Sequence, residues 1–140
     1  MRTSMAAMAV AFMLAGQAHA ASSQCEANYK EEGGFLTGRS FTSWVVHPAK
    51  TPQDTFRTVQ VGFVKAGFKV LNVDKDLMLL TAEQPTMAGN VATSLVFSVV
   101  VEPSGKGSKV STTMKSPPGK ALSAKAVKAS VCSVVDDAGK

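Results

Sequence analysis

The sequence is poor in the residues that most often carry catalysis. Its 140 residues include two histidines and two cysteines, and His47 is the only histidine after residue 20. A zinc site of the HExxH type needs two histidines on one helix, so it is excluded. A nucleophile elbow of the GxSxG type is absent as well. We expect His47 to be a solvated residue at the end of a strand.

Other chemical motifs are incomplete. Gly105-Lys106-Gly107 lacks the spacing and the following helix of a phosphate-binding loop. Asp74 and Asp76 fit a hairpin turn, because the other ligands of a calcium loop are missing. The sequence therefore favours a non-catalytic protein with no cofactor and no metal. The alternative, an enzyme, would need a carboxylate that the fold brings close to His47.

The chain also lacks an apolar run of membrane-spanning length. The longest run, MAAMAVAFMLA, has 11 residues, whereas a transmembrane helix needs about 20. Arg2 precedes the run, and Ala18-His19-Ala20 follows it as a small-x-small cleavage pattern. This order is typical of a secretory signal peptide. We predict a signal peptide over 1–20 with cleavage after Ala20, and a periplasmic or secreted product that does not span the membrane.

The two cysteines both follow the predicted cleavage site, at Cys25 and Cys132. An even number of cysteines in an exported chain predicts a disulfide, because the compartment is oxidising. The bridge would join two residues that lie 107 positions apart in the sequence. A chain-entropy treatment of so long a loop gives roughly 4–5 kcal/mol as an upper figure. A reactive thiol or a metal pair is the alternative, and the absence of a CxxC motif disfavours it.

The remaining residues suit one domain. Residues 21–34 are polar and end in Gly-Gly, so we predict a flexible polar arm there and a single α+β domain over 35–140. Alternating apolar residues and turn signals predict strands and a loop, and helical spacing predicts two helices. The strands cover 35–46, 68–73, 77–83, 91–102 and 109–115, the loop covers 85–90, and the helices cover 51–67 and 121–135.

The short turns between successive strands predict hairpins and therefore an antiparallel sheet. The expected fold is a two-layer sandwich of the α+β class, with 4–5 antiparallel strands and two helices on one face. The element order is β-α-β-β-β-β-α. Gly62, in the middle of the first helix, would allow a close approach to the sheet.

Four phenylalanines and the single tryptophan leave alternatives open. Phe56, Phe63, Phe68 and Phe97 form either the core or an apolar pocket for a small ligand between the first helix and the sheet. Trp44 alternates with Ser43 and Val45 along its strand, so it belongs to the core or to an exposed binding surface. From the sequence, both alternatives stay open for the phenylalanines and for Trp44.

Lysine is concentrated in one part of the chain. Residues 103–128 contain six lysines and no acid: Lys106, Lys109, Lys115, Lys120, Lys125 and Lys128. Such a region is a candidate anion-binding surface for an envelope protein or an anionic lipid surface. The alternative is a solvated face whose lysines guard an edge strand against aggregation. Nucleic acid is not expected, because arginine clusters and interleaved aromatics are missing.

Two segments carry a resemblance to a known family. Gly67-Phe68-Lys69-Val70 leads to Asp74, and Leu79-Leu80-Thr81-Ala82-Glu83 follows. The order of a helix ending in GF, a strand, an acidic turn and a strand ending in TAE resembles small periplasmic BamC-like domains of bacterial outer-membrane assembly lipoproteins. The resemblance covers roughly residues 41–115. It implies an α+β fold and an envelope location, and it brings no catalytic residues.

The sequence as a whole therefore predicts an exported, small, non-catalytic binding or accessory protein of the bacterial cell envelope. A carrier of a small apolar ligand and an enzyme are the alternatives. The identity of the partner is not readable from the residues.

Overall fold

The computed structural model describes residues 23–88 and 91–140, so the predicted signal peptide lies outside the described residues. The elements are α1 (Gln24–Ala27), β1 (Lys30–Gly34), β2 (Gly38–His47), α2 (Pro52–Lys65), β3 (Lys69–Asp74), β4 (Leu79–Ala88), β5 (Val91–Ser104), β6 (Gly107–Ser116) and α3 (Ala124–Asp137).

The six strands form one antiparallel sheet in the order β1-β2-β6-β5-β4-β3. β2 and β6 are neighbours in the sheet although they are not consecutive in the chain. They pair from Arg39, opposite Ser116, to His47, opposite Ser108. The other neighbours are hairpins. Each hairpin joins strands that the sequence separates by a short turn, which is why they pair antiparallel.

Helix α2 begins where the sequence predicts. The Thr51 side chain accepts a hydrogen bond from the Asp54 amide, and Pro52 occupies the first turn, where its missing N–H is not needed. Phe56, Val59 and Phe63 are buried, and their helical spacing places them on one side of α2. That side packs on the sheet.

Helix α3 packs beside α2 on the same face of the sheet. Its N-cap is Ser123, whose side chain accepts from the Ala126 amide. A Cβ atom at Gly62 would lie 3.0 Å from Cγ1 of Val134. Gly62 therefore allows a close approach of α2 to α3. The prediction of a close approach to the sheet at Gly62 was wrong.

The core lies between the helices and the inner face of the sheet. Alternate residues of the strands point into it, for example Leu95, Phe97, Val99 and Val101 of β5, all of which are buried. The α+β sandwich with α2 and α3 on one face is thus confirmed. The strand number was underestimated, since the described residues form six strands, and α1 is an additional short helix.

The prediction of a flexible polar arm over 21–34 was wrong for the described residues of this segment. Residues 24–34 contain α1 and the edge strand β1, which pairs with β2 from Lys30 opposite Thr42 to Gly34 opposite Gly38. The sequence hides this strand because its residues read KEEGG and are mostly exposed. An edge strand with charged side chains lacks the apolar alternation on which strand prediction depends.

The predicted loop over 85–90 was also wrong in part, since β4 continues to Ala88. Pro85 suggested a break because proline cannot donate to a ladder. However, β3 begins at Lys69, opposite Glu83, so beyond Glu83 only β5 pairs with β4, which is an edge strand there. Proline is tolerated there.

Helix α1 covers the part of β2 that β1 does not reach. The Asn28 amide donates to the Trp44 carbonyl at 2.9 Å, and the Ser43 hydroxyl donates to the Cys25 carbonyl at 2.6 Å. Cys25 is bonded to Cys132 of α3, with 5.5 Å between the two Cα atoms. The disulfide is therefore confirmed, and it ties α3 to the N-terminal segment.

Candidate binding surface

The space between α2 and the sheet is filled by aromatic side chains. The ring centroids of Phe63 and Phe68 lie 4.7 Å apart, and those of Phe68 and Phe97 lie 5.1 Å apart. Both pairs are edge-to-face, an arrangement that aromatic rings favour in cores. Phe56 is buried beside them. The structure thus places the four phenylalanines in the core. Their side chains fill the space in which a carrier would hold its ligand.

A depression of about 390 Å³ opens on the surface between the two long helices. Thr58, Val61 and Lys65 line it from α2, and Ser133 and Asp137 line it from α3. Its wall combines apolar and charged groups of both signs. This arrangement is the ordinary seam between two packed helices, and it brings together none of the residues predicted as functional.

His47 lies in the interior, so the expectation of a solvated residue was wrong. Its side chain is buried, and its Nε2 is 2.9 Å from the Val135 carbonyl. Gly139 packs against the imidazole ring. Within the described residues no carboxylate is hydrogen-bonded to the ring. The imidazole holds the C-terminal end of α3 against the sheet, which is a structural task.

One group of potential metal ligands occurs among the described residues. It consists of Cys25, Cys132 and Asp136, whose ligand atoms lie within 4.8 Å of one another. Both sulfur atoms are engaged in the disulfide. A metal ion binds thiolates rather than disulfide sulfurs, so the oxidised protein does not offer this ligand set.

The six predicted lysines divide between the two layers. Lys106, Lys109 and Lys115 belong to the β5–β6 hairpin. Lys125 and Lys128 lie on α3, and Lys120 lies in the loop before it. The structure therefore does not bring the six lysines together on one face, although the α3 group remains a local basic region.

Lys125 and Lys128 of α3 line a surface depression together with Tyr29, the single tyrosine. The Tyr29 hydroxyl donates to the Ala124 carbonyl at 3.3 Å, and the Lys128 ammonium lies 5.4 Å from the ring centroid. Burial raises the pKa of Tyr29 to about 12, and the negative charge of Glu31 adds to this shift. Tyr29 therefore stays protonated and joins the start of β1 to the start of α3.

No described element covers the outer face of the sheet. The helices lie on the opposite face, and the outward residues of β2, β5 and β6 are exposed or half-buried. Trp44 stands on this outer face with 38% of its surface exposed. The Lys109 ammonium lies 5.2 Å from the centroid of the Trp44 ring, in a cation–π contact.

Trp44 heads a row of partly apolar residues that crosses the sheet. Ser111 lies opposite Trp44, Val100 lies opposite Ser111, and Leu79 lies opposite Val100. Val96 is 41% exposed on the same outer face, but it lies two rows away from Trp44, opposite Lys115. Exposed aromatic and aliphatic side chains that lie together often indicate a contact surface.

The sequence could not tell which face of β2 is inward. Phe41, Ser43 and Val45 share one strand face, and Thr42, Trp44 and Val46 share the other, so each face has two apolar residues and one hydroxyl. In the structure Ser43 is buried because its hydroxyl is hydrogen-bonded to the Cys25 carbonyl. A satisfied hydroxyl is tolerated in a core. The bond depends on α1, an element that the sequence did not predict.

No protein-family model and no curated protein sequence matches this chain. Among solved structures, the chain is similar to the crystal structure of Ara h 8.0201, with a TM-score of 0.55 and 11% sequence identity. The match covers 71% of this chain and 94% of that chain. It gives no support to the resemblance to BamC-like domains, which stays a prediction. At this identity the likeness concerns the fold alone: the chain shares its α+β sandwich with Ara h 8.0201.

Proposed function

We propose that the protein is a small, exported, non-catalytic binding or accessory module of the bacterial cell envelope, and that it contacts its partner through the outer face of the sheet. The observation that carries this proposal is Trp44, the only tryptophan of the chain, which stands 38% exposed on a sheet face that no described element covers. The helices and the disulfide build the support behind this face.

The energetics of Trp44 support a role in contact. A large aromatic side chain that stays partly in water forgoes about 25 cal/mol for each Å² of apolar surface left exposed. A partner that covers the ring recovers this free energy. Tryptophan is also one of the residues that most often dominate binding energy at interfaces. Its strand is held on both sides, by β6 and by α1, so the ring is presented on a rigid support.

The proposed location rests on the predicted signal peptide and on the disulfide. Disulfides persist in oxidising compartments, which supports a periplasmic or secreted protein. In the part of the chain that the structure describes, no helix is long and apolar enough to cross a membrane. An envelope protein or an anionic lipid surface remains the proposed type of partner. The basic region at Lys120, Lys125 and Lys128 belongs to the helix layer, so it would aid an anionic partner there and not at the outer face of the sheet.

Capture of envelope material by the exported protein tests this proposal. The protein is purified after export, immobilised and incubated with envelope fractions, and Trp44→Thr is compared with Val64→Thr. Val64 is 60% exposed on the outer side of α2, so it is a matched apolar control on the helix layer. We expect Trp44→Thr to weaken capture by roughly 30-fold, the effect of losing about 2 kcal/mol at a hot spot.

Two results would contradict the proposal. One is equal capture by wild type and Trp44→Thr, provided that the variant unfolds at the same denaturant concentration as wild type. The other is loss of capture with Val64→Thr alone, which would move the contact to the helix layer. Val64→Thr should otherwise bind like wild type.

The carrier alternative has a test of its own. The packing of Phe63, Phe68 and Phe97 does not favour it, because their rings occupy the space that a ligand would need. Native mass spectrometry of the exported protein would reveal a co-purifying apolar molecule. A clean mass of the polypeptide alone is expected.

A further inference from the structure

A row of polar residues runs across the outer face of the sheet, beside the row of Trp44. Each strand contributes one residue, and the strand registers place these residues opposite one another. In spatial order they are Lys30, Thr42, Thr113, Ser98, Thr81 and Asn72. Neighbouring strands lie about 4.7–4.9 Å apart, so four hydroxyl groups recur at that interval across the middle of the sheet.

These four hydroxyls have no evident structural task. Among the residues whose side chains the structure describes, none of them is hydrogen-bonded to another protein group. The hydroxyls of the inner face behave differently: Ser43 donates to the Cys25 carbonyl at 2.6 Å, and the hydroxyls of Thr55 and Ser108 are 2.6 Å apart. With no partner among the described side chains, the outer hydroxyls can donate to and accept from a ligand.

Most charged residues of the outer face have a residue of opposite charge one or two strands away, with Lys30 as an exception. Lys109 lies opposite Glu102, and Lys69 forms a salt bridge with Glu83 at 3.5 Å. Lys115 and Glu32 lie on either side of Ser40, two strand intervals apart. The fields of opposite charges largely cancel at distances greater than the separation of the charges, so this face produces little net field. It is not complementary to a strongly anionic partner.

The shape of the face favours an extended ligand. The row crosses five strand intervals, which corresponds to roughly 24 Å. The surface is a sheet face rather than a concave pocket, and pockets are what small ligands usually require. A polymer that lies along the row would meet one hydroxyl per strand and would pass beside the ring of Trp44.

We propose that the outer face binds an uncharged polysaccharide strand. A pyranose ring presents an apolar C–H face, which would take the place of the Lys109 ammonium on the electron-rich face of Trp44, and hydroxyls at its rim, which would pair with the row of Thr42, Thr113, Ser98 and Thr81. The hydroxyl interval is close to the length of one hexopyranose unit. The inference rests on the proposed function, because it assumes that the outer face is the contact surface.

The test titrates the exported protein with uncharged oligosaccharides of chitin, cellulose and starch. Because Trp44 is the only tryptophan, its fluorescence reports binding at this face directly. We expect saturable quenching or a blue shift with at least one of the three, and little dependence on salt. Thr113→Val and Ser98→Ala should each weaken binding about threefold to tenfold, the effect of one lost hydrogen bond.

Ser133→Ala is the matched control, because it removes an exposed hydroxyl from α3 on the other layer. Its affinity should equal that of wild type. Vesicles of phosphatidylglycerol are titrated in parallel. Salt-sensitive binding to the vesicles together with no response to the oligosaccharides would overturn the polysaccharide inference.

The failure of this inference is distinguishable from failure of the proposed function. If envelope material is captured in a Trp44-dependent way while none of the oligosaccharides binds, the polysaccharide inference is overturned and the contact surface stands. If no binding depends on Trp44, both are overturned. Oligosaccharide binding that Thr113→Val and Ser98→Ala leave unchanged would also overturn the role of the hydroxyl row.

Discussion

The two faces of the sheet use similar residue types for opposite purposes. On the inner face, Phe97 packs among aromatic rings, and the hydroxyls of Thr55 and Ser108 are hydrogen-bonded to each other. On the outer face, Trp44 is partly exposed, and the hydroxyls of Thr113 and Ser98 stay without protein partners among the described residues. The difference shows that residue type alone does not reveal the task of a position. What decides is whether each group is already satisfied within the fold.

The largest expected difference between the faces concerns apolar side chains. Phe97→Ala should lower the free energy of unfolding by about 3–5 kcal/mol, because it opens a cavity in a fully buried cluster. Val96→Ala, one residue away but 41% exposed, should lower it by less than about 1 kcal/mol. Urea denaturation measures both. Similar losses for the two variants would mean that the outer face is covered in solution.

The disulfide acts only on the helix layer and the N-terminal segment. Replacing Cys25 and Cys132 together by serine should lower the free energy of unfolding by about 2–4 kcal/mol, because the 107-residue loop is released. The outer face should keep its affinity for envelope material at temperatures where the variant stays folded. Denaturation and capture assays of the same variant check the two parts, and an unchanged stability would contradict the first.

The hydroxyl groups sharpen the comparison at a smaller scale. Thr55→Val removes the partner of a fully buried serine hydroxyl, so it should cost about 1–3 kcal/mol of stability. Thr113→Val makes the same chemical change on the outer face and should alter stability by no more than about 0.5 kcal/mol. Thermal denaturation of the two variants measures both losses of stability. Equal losses would show that the outer hydroxyl has a structural partner.

The smallest expected effect is a pH dependence on the covered side. Tyr29 is the only tyrosine, and burial raises its pKa to about 12 in the folded protein. The unfolded chain, with a pKa near about 10, releases the phenol proton first. The contribution of Tyr29 to stability should therefore be fully present below a pH of about 10 and should be lost as the pH rises toward about 12. Tyrosinate absorbance of the native protein checks the titration midpoint, with Tyr29→Phe as the control, and a midpoint near about 10 would contradict the burial.

Much of this fold could be predicted from the sequence, because its signals are local. The cap of α2, the apolar stripe of that helix and the hairpin at Asp74 each depend on residues close together in the chain. The disulfide followed from the number of cysteines and the expected compartment. In each case a local rule and the tertiary structure agree.

The rest depends on contacts between distant residues. The strand β1 has no apolar pattern of its own, and only its pairing with β2 reveals it. His47 is buried because the distant C-terminal helix offers it a carbonyl acceptor. The hydroxyl row of the outer face exists only in the registers of six strands, so no stretch of sequence contains it. The candidate site was therefore less predictable than the fold.

The fluorescence of Trp44 tests the central claim most directly. The exported protein is bound to envelope fragments, and its emission and its quenching by acrylamide are compared with those of the free protein. If the outer face is the contact surface, the emission shifts to shorter wavelength and the ring becomes protected from the quencher. Unchanged emission and unchanged quenching, in protein that is demonstrably bound, would contradict the account.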